Sequence, residues 1–426
     1  MTFLLLLVAL IALLYLGMPM FAALFLLPMG VLYYVEGGVP ALGEMVTGKL
    51  DGYLLVAIPL FMLKAHIMVR GKAVDDLYAA AFALLRGVRG GVGIATVAAC
   101  TVFAAITGSS VATALTVGKI AIPQMLRYGM SRKGAFGVVA GGGTLGILLP
   151  PSAPMVLYAY VTEASVSYLF LAGLMPGLMM AAMFAGWCML TEGRARSPEG
   201  EAPPAPDART FLRSLWAVSL PVFVLGGIYL GVFTATEAAG TGTLYALLIA
   251  VFGYGALKWR DLLDGVQEAT RTASMLLLII AGAAIYGYML TKLRVPQELV
   301  ALVTDYGLNK VQFLIAMMVL LFLLGLVLES FSIILLTMPA ILPVMATLGV
   351  DKIWYGVLLT LSLEMALISP PVAMNLVVIK AITGAPLAEV NRSIMPYMVM
   401  LMIGTGLLIA FPDIALWLPR VAGYAG

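Results

Sequence analysis

Apolar stretches long enough to cross a bilayer recur from one end of the chain to the other, over 3–17, 18–35, 54–69, 134–160, 167–191, 214–231, 236–257, 272–290, 353–379 and 394–411. A helix needs roughly 20 mainly apolar residues to span the hydrocarbon, so the pattern predicts membrane-spanning helices. Two further blocks, about 91–126 and 311–347, are long and apolar but break near the middle. They predict re-entrant hairpins that enter and leave on one side of the membrane. The opening run, "MTFLLLLVALIALLYLG", resembles a signal peptide, yet it lacks a basic n-region and an A-x-A site, and another apolar run follows at once. It is expected to be a retained first span.

Composition agrees with a polytopic membrane protein: 62% of the 426 residues are hydrophobic and only 11% are charged. Cys100 and Cys188 both lie in apolar runs, which argues for buried thiols rather than a disulfide framework. The net charge of +3 says little until the charges are placed. With both hairpins re-entrant, Arg70, Lys72, Arg86, Arg89, Arg127, Arg132, Lys133, Arg194, Arg196, Arg209, Arg213, Lys258 and Arg260 share one face. The positive-inside rule makes that face cytoplasmic. The other keeps a scatter (Lys49, Lys292, Arg294, Lys310, Lys352, Arg420), so both termini are expected outside. The polar stretch "EGRARSPEGEAPPAPDART", 192–210, becomes a cytoplasmic linker between a first half, 1–191, and a second, 211–426.

A central linker invites a search for a repeat. At an offset of 220, Pro123 falls on Pro343, Pro150 and Pro151 on Pro370 and Pro371, Pro176 on Pro396, Ser110 on Ser330 and Gly129 on Gly349. Each half holds about five crossings, some broken, plus one hairpin. An odd number of crossings turns the second copy upside down, so the fold class expected is all-α with two inverted-topology repeats, an arrangement found in secondary transporters.

Broken helices at membrane depth are tolerated only where the freed backbone lines a cavity or meets a ligand. Here "ITGSSVATA" (106–114) and "GGTLGILLPPSAPM" (142–155) break the first half, and "LESFSI" (328–333) and "LISPPVAMN" (367–375) break the second. A half-helix that ends at such a point offers carbonyls to a cation, and one that begins there offers N–H groups and a positive dipole to an anion. Sites for Na⁺ and a carboxylate can thus lie side by side. Glu329 and Glu364 stand at or near the breaks, and intramembrane carboxylates are functional by default.

Each motif also has a plain structural reading. Ser109 and Ser110 could cap or pack helices, and the proline pairs could be kinks. Glu329 and Glu364 could pair with a lysine or reach a polar surface. Lys119 and Lys380 are expected to snorkel or pair rather than bind substrate. His66, the only histidine, has no partner for zinc or triad chemistry and is expected to be an interfacial polar residue. Correlation of the breaks across the repeat favours the functional reading at the four breaks.

The blocks "ITGSSVATALTVGKIAIPQM", "GTLGILLPPSAPMVLY", "GVFTATEAAG", "LESFSIILLTMPAILPV", "DKIWYGV" and "SPPVAMNLVV" together resemble the large membrane (M) subunit of tripartite ATP-independent periplasmic (TRAP) transporters. The resemblance covers nearly the whole chain. It implies an elevator-type, Na⁺-coupled importer of a small organic acid in the bacterial inner membrane. Two hairpins would meet at the ion and substrate site. By position, one tip is Gly108, Ser109 and Ser110, and the other Glu329 and Ser330. The facing broken helices supply Gly143, Thr144, Pro150, Pro151 and Ser152, and Ser369, Pro370, Pro371 and Asn375. Glu329 stands where many members of the family have Asp. Two partners are implied, a separate small membrane (Q) subunit and a periplasmic substrate-binding (P) protein. No nucleic-acid partner is expected, and no cofactor beyond Na⁺ as coupling ion.

A standalone cation-coupled dicarboxylate carrier or ion antiporter with similar hairpins is the alternative within the class. An intramembrane hydrolase would need a base beside "TGSSVA", where only Lys119 is near, and no H-E-x-x-H occurs. An ATP-driven pump would need a phosphate-binding G-x-x-x-x-G-K-[ST] loop, which the sequence lacks. The expected chemistry is transport, with no catalytic residue.

Overall fold

Helix starts along the chain carry the side chains that cap them. Ser131 accepts from the Gly134 N–H and Asp351 from the Trp354 N–H, while Thr234 with Glu237 and Asn309 with Gln312 form reciprocal capping boxes. The computed structural model describes all residues except 1, 39–41, 72, 86, 195–206 and 371–372. Most of the 192–210 linker therefore lies outside the described residues.

Among the described residues every regular element is helical. The first half comprises α1 (Thr2–Tyr15), α2 (Met20–Glu36), α3 (Leu42–Leu50), α4 (Ala57–Arg70), α5 (Ala73–Leu85), α6 (Gly91–Thr107), α7 (Ser110–Arg127), α8 (Arg132–Leu148), α9 (Ala153–Thr162) and α10 (Val166–Thr191). The second comprises α11 (Ala208–Tyr229), α12 (Ala235–Leu248), α13 (Trp259–Lys292), α14 (Val295–Asp305), α15 (Lys310–Gly325), α16 (Ser330–Thr347), α17 (Lys352–Ile368), α18 (Met374–Thr383), α19 (Leu387–Ala410) and α20 (Asp413–Val421). Eight helical segments among the described residues are long and apolar enough to cross a membrane. The chain is a multi-span membrane protein. The apolar helices α1 and α2, at 14 and 17 residues, are shorter than the other spans.

The offset of 220 reaches the helix ends themselves. Shifted by that number, α7 coincides with α16 and α8 with α17 at both ends, and α5 ends where α14 ends. Packing follows the same exchange. α7 packs on α18 of the other half, and α16 packs on α9; α10 packs on α17, and α19 on α8. Swapping the halves maps each of these contacts onto its mate, so the two copies are related by an approximate two-fold and interleave rather than sit side by side.

Three features depart from the sequence reading. The stretches 70–91 and 292–310, expected as loops, hold α5 and α14, whose Asp75, Asp76 and Glu298 interrupt any apolar window. At 13 and 11 residues they are too short to span, and hydropathy does not find them. α13 runs 34 residues where 272–290 was expected, because its first turns are charged on one face. The short helices α3 and α20 were not expected at all.

Candidate functional site

Both expected hairpins are present, and their turns lie where the sequence breaks. In the first, α6 stops at Gly108 in the left-handed region (φ 61°), Ser109 is extended, and its hydroxyl caps α7 by accepting from the Ala112 N–H at 3.4 Å. A side chain at Gly108 would run into the Pro151 carbonyl oxygen of the α8–α9 break, so only glycine suits both the conformation and the approach. At Gly146 on α8, an added Cβ would lie 2.5 Å from the Ser109 carbonyl carbon. The glycine-rich end of α8 thus lets the first hairpin tip rest directly on its backbone. In the second hairpin, Glu329 takes the N-cap position of α16, and its carboxylate accepts from Ser332 Oγ at 3.5 Å.

Behind the first tip, four helices from both halves meet at one buried polar cluster. Asn375 in the first turn of α18 donates its amide to Ser110 Oγ at 2.9 Å. Glu364, in the last turn but one of α17, accepts from the Ile147 N–H of α8 at 3.0 Å through Oε1, and the Ser110 hydroxyl faces the same carboxyl. Glu364 and Asn375 are fully buried and Ser110 is 1% exposed. Two oxygens of this cluster, Glu364 Oε2 and Asn375 Oδ1, have no hydrogen-bond partner in the protein, nor has Ser152 Oγ on the other side of the tip. Buried polar atoms are nearly always paired, so oxygens left open at a helix break are available to a ligand.

Other residues singled out by the sequence sit around this cluster without aiming into it. Thr144 Oγ1 donates to its own helix at Gly141 O, and Ser369 Oγ to Met365 O. Gly143 faces Ala114 and lies within reach of the Asn375 amide and the Ser110 carbonyl, where any side chain would intrude. Pro150 and Pro151 form the break after α8, joined by a cis peptide, and Pro370 follows α17. Pro371 lies outside the described residues. Lys119 and Lys380 are both exposed.

In front of the tips opens a cavity of about 500 Å³. Its one side is the two hairpin turns, with Gly108, Ser109, Ser110, Glu329 and Ser330; its other side is α4 and α13, with His66, Glu268 and Thr272. His66 is therefore a cavity residue, paired to Glu268 with Nδ1 3.4 Å from Oε2. The sequence reading left it at an interface because its partner lies on α13, 202 positions away by number, in a segment too charged to count as a span. Lys64, two residues before it, was also overlooked. It is 1% exposed at the α4–α12 contact, its Nζ has no hydrogen-bond partner, and it lies 4.9 Å from the centre of the Phe61 ring.

A family model described as "Tripartite ATP-independent periplasmic transporter, DctM component" matches residues 7–414. The chain belongs to this family. A C4-dicarboxylate TRAP transporter large permease protein, DctM, of Pseudomonas aeruginosa is 37% identical over 88% of this chain and 88% of its own length. An isethionate TRAP transporter permease protein, DctMQ, of Oleidesulfovibrio alaskensis is 30% identical over 83% of this chain but only 56% of its own. Among solved structures, the YdaH transporter of Alcanivorax borkumensis superposes with a TM-score of 0.64 over 90% of this chain and 88% of its own, at 15% identity. That likeness is one of fold. The TRAP large-permease fold thus brings together Ser110 and Asn375 from two of the four sequence breaks and Glu364 just before the second of them, with Glu329 and Ser330 on the same side of the adjoining cavity.

Proposed function

We propose that this TRAP large permease is a Na⁺-coupled importer of a small organic acid. The observation that carries the reading is the pair of unpartnered buried oxygens, Glu364 Oε2 and Asn375 Oδ1, where both halves of the repeat meet. A hard monovalent cation prefers oxygen ligands, and a carboxylate with a carboxamide oxygen supplies both the charge and the donors for Na⁺. The starts of α7 and α16 face the adjoining cavity and offer N–H groups to an acid. Ser110 faces Glu364 and also lines the cavity, so the cation and anion sites adjoin at one residue, which is a direct route to coupling.

The arginines and lysines near the helix ends support an orientation for the cavity. His66 lies one turn before Arg70 on α4, and Glu268 lies shortly after Lys258 and Arg260 at the start of α13. Both neighbourhoods fall on the basic face, so the cavity opens to the cytoplasm, and the two termini and the far ends of α4 and α13 are periplasmic. The halves are inverted repeats, and the block of hairpins and broken helices moves as an elevator against α4 and α13. The location is the bacterial inner membrane. The three-part family name and the greater length of the DctMQ relative support a separate small membrane subunit and a periplasmic binding protein as partners. C4-dicarboxylates, isethionate and sialic acid, named for relatives, support a small organic acid as cargo.

The test is uptake into liposomes holding this chain with its small subunit, with the binding protein outside. Uptake is expected only with an imposed inward Na⁺ gradient, and without ATP. Equal uptake in Na⁺-free buffer removes the coupling, and full uptake without the binding protein makes the chain a standalone carrier.

A further inference from the structure

The fixed wall of the cavity carries one residue that can bear positive charge. No lysine or arginine lines the cavity among the described residues, while Glu329 and Glu268 both do. The helix starts supply donors on the hairpin side, but on the side of α4 and α13 an acid meets the Glu268 carboxylate and is repelled unless a donor stands there too. His66 is that donor. Its Nδ1 is engaged by Glu268, so the hydrogen bond fixes the ring and leaves Nε2 as the free polar atom. The His66 side chain is partly exposed and lines the cavity, and no hydrogen bond engages Nε2 among the described residues.

We propose that His66, oriented by Glu268, is a substrate-contact residue on the stationary wall, a second station for the cargo opposite the hairpin tips. Held between Glu268 and the arriving acid, two negative groups that favour its charged form, the ring takes up a proton and donates Nε2–H to the acid group of the cargo as it leaves the helix starts at Ser110 and Ser330. The inference rests on the transport reading above, and it adds to that reading a contact outside the moving block.

Two measurements on the transporter with its partners test it, using succinate, isethionate, ectoine and N-acetylneuraminate as cargo probes. In inside-out vesicles, His66→Cys and Val69→Cys are labelled separately with an impermeant maleimide; the two native cysteines are buried. A transported acid with Na⁺ is expected to slow labelling at position 66 and leave position 69, one turn along the same wall, unchanged. Equal protection at both positions means closure of the cavity, and none at 66 means no contact; either overturns the proposal. In uptake, His66→Gln is expected to raise the half-saturating acid concentration about tenfold, the scale of one charge-assisted hydrogen bond, with Na⁺ dependence intact. His66→Lys should recover most of that loss. A Gln variant equal to the parent, or Gln and Lys variants equally impaired, also overturns it. Should the parent itself show no Na⁺-driven uptake of any probe, the transport reading fails first and the inference falls with it.

Discussion

Asn375 and Ser110 stand 265 positions apart by number, yet the carboxamide of one donates to the hydroxyl of the other at 2.9 Å. This bond ties the first turn of α18 to the first turn of α7, the two half-helices that begin at breaks in opposite halves. Ser110→Leu removes it and fills the space beside Glu364. Transport is expected to be lost while the protein still inserts, since Ser110 is buried and the lipid-facing surface is unchanged. Ser110→Ala, which removes only the hydroxyl, should cost about 1–3 kcal/mol by leaving the amide unpaired. Normal uptake by the leucine variant would move the site away from the tip.

Gly146→Ala should be far worse than its size suggests. The new methyl would meet the Ser109 backbone at 2.5 Å, and backbone cannot rotate aside as a side chain can. A loss of roughly 1–3 kcal/mol is expected, together with a displaced hairpin tip and little transport. Gly186→Ala on α10, which has open space around it, is the matched control and should behave like the parent. Melting of the purified protein and uptake in liposomes read both effects.

Glu364→Gln keeps an oxygen to accept from the Ile147 N–H and removes only the charge. The Na⁺ concentration for half-maximal uptake is expected to rise at least tenfold, about 1.4 kcal/mol, with a smaller change in cargo affinity. Glu364→Ala should in addition lose stability, because the Ile147 N–H is then buried without an acceptor. An unchanged Na⁺ dependence in the glutamine variant would take the cation away from this cluster.

Lys64→Met should raise the melting temperature. The amine is buried with no hydrogen-bond partner and only the Phe61 ring beside it, and methionine has a similar reach without the cost of burying an unpaired polar group. A gain on the order of 1 kcal/mol is expected. A fall instead would show that the amine is engaged by something the fold needs.

Much of this was legible in the sequence where a local rule acts alone. The hairpin turns at Gly108 and Glu329 and the helix starts at Ser110 and Ser330 follow from composition and the offset of 220. Glu364 was named from its place near a break and Asn375 from the family resemblance, but that Glu364 reaches α8 and Asn375 reaches α7 depends on interleaving, which no periodicity encodes. The opposite failure is instructive at α5 and α14. Their charges erase the apolar signal, although the offset that aligns the prolines also aligns their ends, so the repeat held information that hydropathy lacked. His66 and Glu268 were out of reach, since neither belongs to a break and their pairing joins α4 to α13.

The exchange of α7 onto α18 and α16 onto α9 has a consequence for biogenesis. The first hairpin emerges from the ribosome with its resting surface on α8 but without α18, which is translated some 250 residues later. Until then the opening beside Ser110 and Glu364's future position stays unsealed, and the nascent first half has no finished interior. Assembly of this permease therefore ends in a closing step that waits for α18, and a chain stopped short of Asn375 leaves the Ser110 hydroxyl and the Glu364 carboxyl without the helix that covers them.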